Sequence, residues 1–416
     1  MKHIRGYESA LSGNFYSYEP GKIKYQCDKT GENLDVVYDY DYIKKHFNKA
    51  DLKDSRDYSI WRYAPMLPVK TLDHIPPLQI GWTPLYKSRK LGKNIGLDNL
   101  YFKDDGRNPS ASFKDRASAI ALVRAIEDGA TIVTGASTGN AGSSMACLCA
   151  SVGMPAVIFV PEKAPVAKIA QLLIFGAKVF AVRGTYDEAF DLCLKVSGEF
   201  GWINRNTGYN PFTREGKKTC AFEICEQLEW EVPDRVFVSV GDGNIISGLW
   251  KGFRDLFKLG FIDKIPKLYG VQSEKSNSIF LSVKECKLDP DADIRICTVK
   301  ATTIADSISV DTPRDGQMAV RAILETDGDA VQVSDEDILD AVKLLGKNEG
   351  IFAEPAGATA YAGVRKLALM GDLPEDETIV AVITGNGLKD VSSALKVAGK
   401  PIGINPDLDE VKRYIN

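Results

Sequence analysis

Histidine is almost missing from this sequence: His3, His46 and His74 are the three in 416 residues. That scarcity argues against a Ser-His-Asp hydrolase, a histidine-ligated metal centre or any acid–base enzyme built on imidazole. Paired cysteines are missing too. The eight cysteines show no Cys-x-x-Cys spacing, and Cys27, alone in a hairpin-like stretch, cannot supply the four ligands a structural zinc requires. No metal is expected, and the thiols read as small buried hydrophobes in a reducing compartment. No basic block is present, and 52 Lys and Arg against 56 Asp and Glu leave a net charge of −4, so no nucleic acid is expected as a partner. Long hydrophobic runs are also lacking. The most apolar window, residues 145–160, is broken by Ser151, Gly153 and Pro155, so no membrane span and no membrane partner are expected. The N-terminus shows no signal-peptide pattern, and the expected location is cytoplasmic.

What is present is an ordinary globular balance, 44% hydrophobic and 26% charged, with length for two or three domains. From about residue 131, short β-branched runs alternate with helical patterns. Residues 131–134, 156–160, 178–182, 235–240, 268–271, 330–333 and 378–384 read as strands. Helices are expected over 117–126, 142–152, 164–175 and 186–200. Strands that are continuously apolar and joined by helices form parallel sheets covered on both faces. The fold class is therefore α/β, with ligands expected at the carboxyl ends of the strands. The first hundred residues are aromatic, charged and irregular, with prolines at 65, 68, 76, 77 and 84, and read as an arm laid over the main body.

Four segments carry chemistry. In Asn108-Pro-Ser-Ala-Ser-Phe-Lys-Asp-Arg116, Lys114 follows an aromatic and small residues and precedes a helix. A lysine partly desolvated there loses its proton readily and becomes a nucleophile or base. Thr134-Gly-Ala-Ser-Thr-Gly-Asn-Ala-Gly142 joins a strand to a helix, and its small residues let N–H groups crowd around an anion. Val240-Gly-Asp-Gly-Asn-Ile-Ile-Ser-Gly248 reads as a phosphate cradle, provided that the Asp242 carboxylate points away. Thr384-Gly-Asn-Gly-Leu-Lys-Asp390 ends the last strong strand, and Glu354-Pro-Ala-Gly-Ala358 opens the helix before it. A nucleotide-dependent dehydrogenase is the rival reading. It fails because Ala141 and Ile246 stand where its glycines belong, and no Tyr-x-x-x-Lys follows the first turn. A special lysine, a carboxylate nest, a phosphate cradle and a shortage of histidine together suit pyridoxal 5′-phosphate, whose aldehyde takes a lysine and whose substrate is an amino acid.

Trp61-Arg-Tyr63, Thr83-Pro-Leu85, Ser112-Phe-Lys-Asp-Arg116, Ser137-Thr-Gly-Asn140, Glu215-Gly-Lys-Lys-Thr219, Glu354-Pro-Ala-Gly-Ala358 and Thr384-Gly-Asn-Gly-Leu-Lys389 occur in this order. With them the chain resembles the fold-type II pyridoxal-phosphate enzymes (tryptophan synthase β-like) and, within these, the threonine synthase family. The resemblance implies two parallel or mixed-sheet domains: an arm over 1–60, a large cofactor-binding domain from 61–120 and 206–416, and a small mobile domain over 121–205. It implies that Lys114 carries the cofactor as a Schiff base and shuttles protons, with Phe113 beside it. Asn140 would bond the cofactor's 3′-oxygen, Gly241, Asp242, Gly243, Asn244 and Ile245 would hold its phosphate, and Thr384 would face its ring nitrogen. Ser137, Thr138, Gly139, Asn140 and Ala141 would hold the substrate carboxylate.

The implied reaction is γ-elimination of phosphate from O-phospho-L-homoserine and β-addition of water, giving L-threonine. A threonine or serine ammonia-lyase, another elimination or replacement on a related amino acid, and a non-catalytic cofactor-binding paralogue are the alternatives. A homodimer is implied as well. The family's phosphate-gripping Asn-Ser-x-Asn-Pro-x-Arg is altered here: Thr207 and Gly208 replace its first pair and Thr213 its arginine. Asn210 is kept, and Arg205, Asn206 and Arg214 remain as donors to the substrate side chain. Asn386 replaces a common histidine.

Overall fold

The computed structural model describes residues 1–9, 11–290 and 292–415. Its strands are β1 (Ile4–Ser9), β2 (Phe15–Ser17), β3 (Leu34–Tyr38), β4 (Leu85–Lys87), β5 (Leu100–Asp104), β6 (Val133–Ala136), β7 (Ala156–Pro161), β8 (Lys178–Val182), β9 (Ile203–Asn204), β10 (Arg235–Ser239), β11 (Lys267–Ser273), β12 (Asp329–Val333) and β13 (Ile379–Ile383). Three sheets result among the described residues. The largest has the order β12-β11-β10-β13-β5-β4, a second has β8-β7-β6-β9, and a third has β2-β1-β3. The second sheet is parallel throughout, and in the first only the β4 edge runs antiparallel. The apolar runs explain this. β13, Ile-Val-Ala-Val-Ile, is buried at all its positions, as a strand covered by helices on both faces must be.

Helices reach the sheets and each other through small residues. The helix Pro355–Met370 crosses β10, β11, β12 and β13, and a Cβ on its Gly363 would stand 2.6 Å from a Val271 methyl. The helix Lys114–Glu127 packs on Phe212–Lys217 and on Asn140–Ser151. A Cβ on Gly216 would stand 1.9 Å from the Arg116 carbonyl oxygen, so the glycine of Glu-Gly-Lys-Lys-Thr serves close backbone approach.

The N-terminal reading needs correction. Residues expected to be irregular include the antiparallel sheet of β1, β2 and β3. This layer packs against later segments: the Tyr38 hydroxyl donates to Glu215 at 2.5 Å and the Tyr40 hydroxyl to Asp255 at 2.7 Å. β4 and β5 were also hidden in sequence. β5, Leu-Tyr-Phe-Lys-Asp, carries two charges that look like surface, yet both Lys103 and Asp104 are buried.

Asp104 accepts from the Gly106 amide and from Arg107, both at 3.1 Å, whereas the burial of Lys103 belongs to an ionic cluster beneath the site. The Arg116 guanidinium donates to Asp105 at 2.6 and 2.9 Å and to Glu223 at 2.5 and 2.7 Å. Lys103 Nζ donates to Glu223 at 2.7 Å and to the Thr83 carbonyl at 2.6 Å. The Asp115 carboxylate accepts from the Ser110 amide at 2.7 Å and from its hydroxyl at 2.5 Å. Both residues after Lys114 are thereby pinned, which fixes the start of its helix.

Candidate active site

The carboxyl ends of β6, β10 and β13 converge on one cleft, as open α/β sheets dictate. A cavity of about 750 Å³ lies there, lined by Lys114, residues 135–142, Arg205, Asn206, Thr207, Asp242 and the segment 306–314. A narrower compartment continues from it past residues 239–246 to Glu354 and Thr384. Lys114, Asn140, Thr207, Asp242 and Ser307 border both.

Lys114 is the first residue of its helix rather than preceding it. Its ammonium has no hydrogen bond or ion pair among the described residues. Burial, then the nearby Arg205 charge, lowers its pKa to about 8, against the pull of Asp242 and Glu354. Free amine is therefore about a tenth of the population at pH 7 and about half at pH 8. The backbone holds it in place through neighbours far along the chain. The Phe113 amide donates to the Thr384 carbonyl at 2.9 Å and the Asn386 amide to the Ala111 carbonyl at 3.0 Å. Bridges also join Ser112 to Gly385 and Ala353 to Asn386.

Among the described residues, two glycine-preceded helix N-termini open onto the cleft without a side-chain cap: Asn140–Ser151, preceded by Gly139, and Asn244–Leu259, preceded by Gly243. Their first N–H groups lack intrahelical partners and carry the positive end of the dipole, so each is suited to an anion. Gly243 sits at φ 90°, and a Cβ there would stand 2.8 Å from both the Ala319 Cβ and the Asp315 carbonyl oxygen. Asp242 turns a carboxylate oxygen to the Arg314 amide at 3.3 Å. A lysine without a partner and a glycine-built helix start beside it in the narrow compartment fit a group with one aldehyde and one phosphate.

Ser137, Thr138, Gly139, Asn140 and Ala141 line the main cavity, and Gly241, Asp242, Gly243, Asn244, Ile245 and Thr384 line the narrow compartment. The Thr384 hydroxyl lies 3.4 Å from that of Ser239 on the neighbouring strand. Asn140 donates its amide to Glu354 at 2.7 Å.

Three expected contacts do not line the cavity and are corrected. Phe113 is fully buried with its ring against Arg116. The Asn210 side chain is spent on the Asn204 carbonyl and the Phe212 amide. Arg214 is locked between Asp35 and Asp315.

Glu354 and Lys217 lie in motifs quoted from the sequence but had no role expected of them, and Ser307 was not singled out at all. Burial raises the Glu354 carboxyl to about 7, against the Asn140 hydrogen bond and the Lys389 charge. Its place in Glu-Pro-Ala-Gly was the available signal, whereas the irregular stretch around Ser307 carried none. Lys217 donates to Asn244 Oδ1 at 2.5 Å and is held well below its ordinary value by burial, then by Lys114 and Arg205.

Residues 77–385 match the family described as pyridoxal-phosphate dependent enzyme. Threonine synthase of Methanocaldococcus jannaschii is 40% identical over 96% of this chain and 97% of its own length. Threonine synthase of Methanosarcina acetivorans is 37% identical over 96% of each. Among solved structures, the processed threonine deaminase isoform 2 of Solanum lycopersicum aligns with TM-score 0.66 at 23% identity, covering 92% of this chain and 99% of that one. Maize serine racemase aligns with TM-score 0.64 at 20% identity, covering 80% of this chain and 94% of that one. These two share the fold. The chain belongs to the pyridoxal-phosphate dependent enzymes and, within them, to the threonine synthases, with the fold-type II architecture.

Proposed function

We propose, from that membership, that this protein acts on O-phospho-L-homoserine, releasing phosphate and producing L-threonine. The observation that carries the reading is the free-standing Lys114 between two uncapped helix starts in one cleft. Bound pyridoxal phosphate supplies an electron sink for charge developing on the substrate. This chain's residues supply the rest. Lys114 holds the cofactor and, as a free amine, moves protons at the substrate's α- and β-carbons. The N–H groups and hydroxyls of Ser137, Thr138 and Gly139 orient the substrate carboxylate on the dipole of the helix Asn140–Ser151. Residues 241–245 hold the cofactor phosphate, Asn140 the 3′-oxygen side of its ring, and Thr384 the ring nitrogen. A neutral hydroxyl at the nitrogen does not enforce a charged ring, which favours elimination and replacement over transamination.

Residues 121–205, which contain β6, β7, β8 and β9, act in this reading as a mobile unit that closes on the substrate and excludes water. The enzyme works in the cytoplasm as a homodimer. Among the described residues no helix is long and apolar enough to cross a membrane.

The test is a substrate panel. Phosphate release from O-phospho-L-homoserine is expected to dominate over ammonia release from threonine or serine, and ammonia release alone would assign a lyase instead. Lys114→Ala is expected to abolish the visible absorbance of the bound cofactor and to lower phosphate release by about 10³-fold or more. A colourless wild type, even with added cofactor, would overturn the reading.

A further inference from the structure

Four lysines are buried among the described residues, and three of them have carboxylate partners. Lys103 pairs with Glu223, Lys218 with Glu215 and Asp255, and Lys251 with Glu215. Lys217 has none. It is 0% exposed, and its one hydrogen bond among the described residues runs from Nζ to Asn244 Oδ1 at 2.5 Å. Asn244 opens the helix Asn244–Leu259 and lines the narrow compartment with Gly241, Asp242 and Gly243. The amine therefore lies one side chain behind the cradle assigned above to the cofactor phosphate. Two contacts fix it there. A Cβ on Gly248 would stand 2.7 Å from the Lys217 Cβ, so that glycine lets the lysine stem run under the first turns of the helix. Asn244 Nδ2 donates to Asp315 Oδ2 at 2.7 Å, which turns Oδ1 toward Lys217.

The charges around Nζ come from several elements. Lys114 at the head of its helix and Arg205 after β9 oppose another cation, whereas Asp242 and Asp315 favour one. Asp315 is already matched by Arg214 and also accepts from Ser247 at 2.6 Å. On the lysine's own helix, Arg214 and Glu215 are engaged by Asp35, Asp315 and Lys218. Burial decides this balance, and the amine is held well below its ordinary value. A neutral amine still donates an N–H to Asn244, so without an anion nothing demands a charge on it. A phosphate dianion at the helix start reverses the balance.

We propose that Lys217 is the internal counter-charge of the cofactor phosphate, a positioning residue acting through Asn244, and that seating the phosphate is coupled to uptake of a proton at its Nζ. The lone pair of the neutral amine takes that proton from solvent, an N–H bond forms, and nothing is oxidised or reduced. This rests on the placement of the cofactor phosphate at residues 241–245. Because the loaded protein binds the extra proton, its hold on pyridoxal phosphate weakens as pH rises.

The test titrates apoenzyme with pyridoxal phosphate at pH 8 in two buffers of different ionisation heat, so that calorimetry counts protons. Pyridoxal, which brings the aldehyde without the phosphate, is the control for chemistry at Lys114. Wild type is expected to take up about one proton more with pyridoxal phosphate than with pyridoxal, and Lys217→Met no more with one than with the other. The second phosphate ionisation lies at about 6, and phosphorus NMR of the holoenzyme is expected to show a dianion at pH 8, which places the proton on the protein. Lys217→Met is expected to lose cofactor on dialysis at pH 7 about tenfold faster. Lys217→Arg, permanently charged, is expected to restore retention without the extra proton. Should Lys217→Met fail to fold, wild type alone decides: its dissociation constant for pyridoxal phosphate, divided by that for pyridoxal, is expected to climb between pH 7 and 9 by up to about tenfold per unit. Equal proton uptake by wild type and Lys217→Met, a flat ratio in wild type, or a bound monoanion would overturn the assignment. A preference for pyridoxal phosphate with no extra proton overturns Lys217 alone, whereas equal affinity for both compounds overturns the placement of the phosphate with it.

Discussion

Burial leaves Lys114 and Glu354 with ionisation midpoints near 8 and near 7, displaced in opposite directions from their usual values. Two pH dependences follow. Lys114 reacts with an aldehyde as the free amine, so the rate at which apoenzyme takes up pyridoxal phosphate should rise with pH to a plateau with a midpoint about 8. Stopped-flow absorbance measures it, and a midpoint above 10 would contradict the desolvated placement. Glu354 has its pKa raised in the folded state. Between its unfolded value and about 7 the folded chain binds more protons than the unfolded one, so this residue's contribution to stability falls as pH rises through that window. Glu354→Gln removes the penalty. The apo variant should melt above wild type at pH 8, by up to about 1–3 kcal/mol, and the gap should close below pH 4. Differential scanning calorimetry across pH decides it.

At the scale of elements, the two uncapped helix starts respond differently to the same substitution. Gly243 needs positive φ and has no room, so Gly243→Ala should destabilise the fold by about 1–3 kcal/mol and weaken cofactor retention on dialysis. A Cβ at Gly139 would meet nothing within 4 Å. Gly139→Ala should therefore keep the wild-type melting temperature while weakening amino-acid binding, because the methyl enters the mouth of the carboxylate site. Equal melting losses in both variants would refute the distinction. Elements with continuous apolar runs were legible in sequence, and β8 and the helix Tyr186–Phe200 have the expected bounds. β5 was not, because its charges meet partners that arrive from residues 83–116 and 223, a pairing no local pattern reveals. β1 and β3 were masked by short alternation among polar residues.

Across the whole molecule, the ionic cluster of Lys103, Asp105, Arg116 and Glu223 joins the largest sheet to the helices beneath the cleft. Removing one member strands the others, so Arg116→Met should cost about 3–5 kcal/mol in chemical denaturation and lower the soluble yield. The candidate site was legible where it lies on contiguous motifs, namely 112–116, 137–141, 241–245 and 384. It was illegible where it depends on which arginine finds a carboxylate: Arg205 and Arg214 look alike in sequence, and the fold pairs only Arg214.

The bridges from Ser112 to Gly385 and from Ala353 to Asn386 carry a consequence for synthesis. The lysine lies in the first third of the chain, but the backbone that seats it is made near the end. A nascent chain therefore carries Lys114 through most of its translation with no seat for the coenzyme. Loading waits until β13 has left the ribosome, and incomplete chains are excluded from the coloured, catalytically competent pool. After gel filtration removes free pyridoxal phosphate, ribosome-arrested chains stopped at residue 350 should retain none, whereas full-length chains released in the same extract should keep it bound.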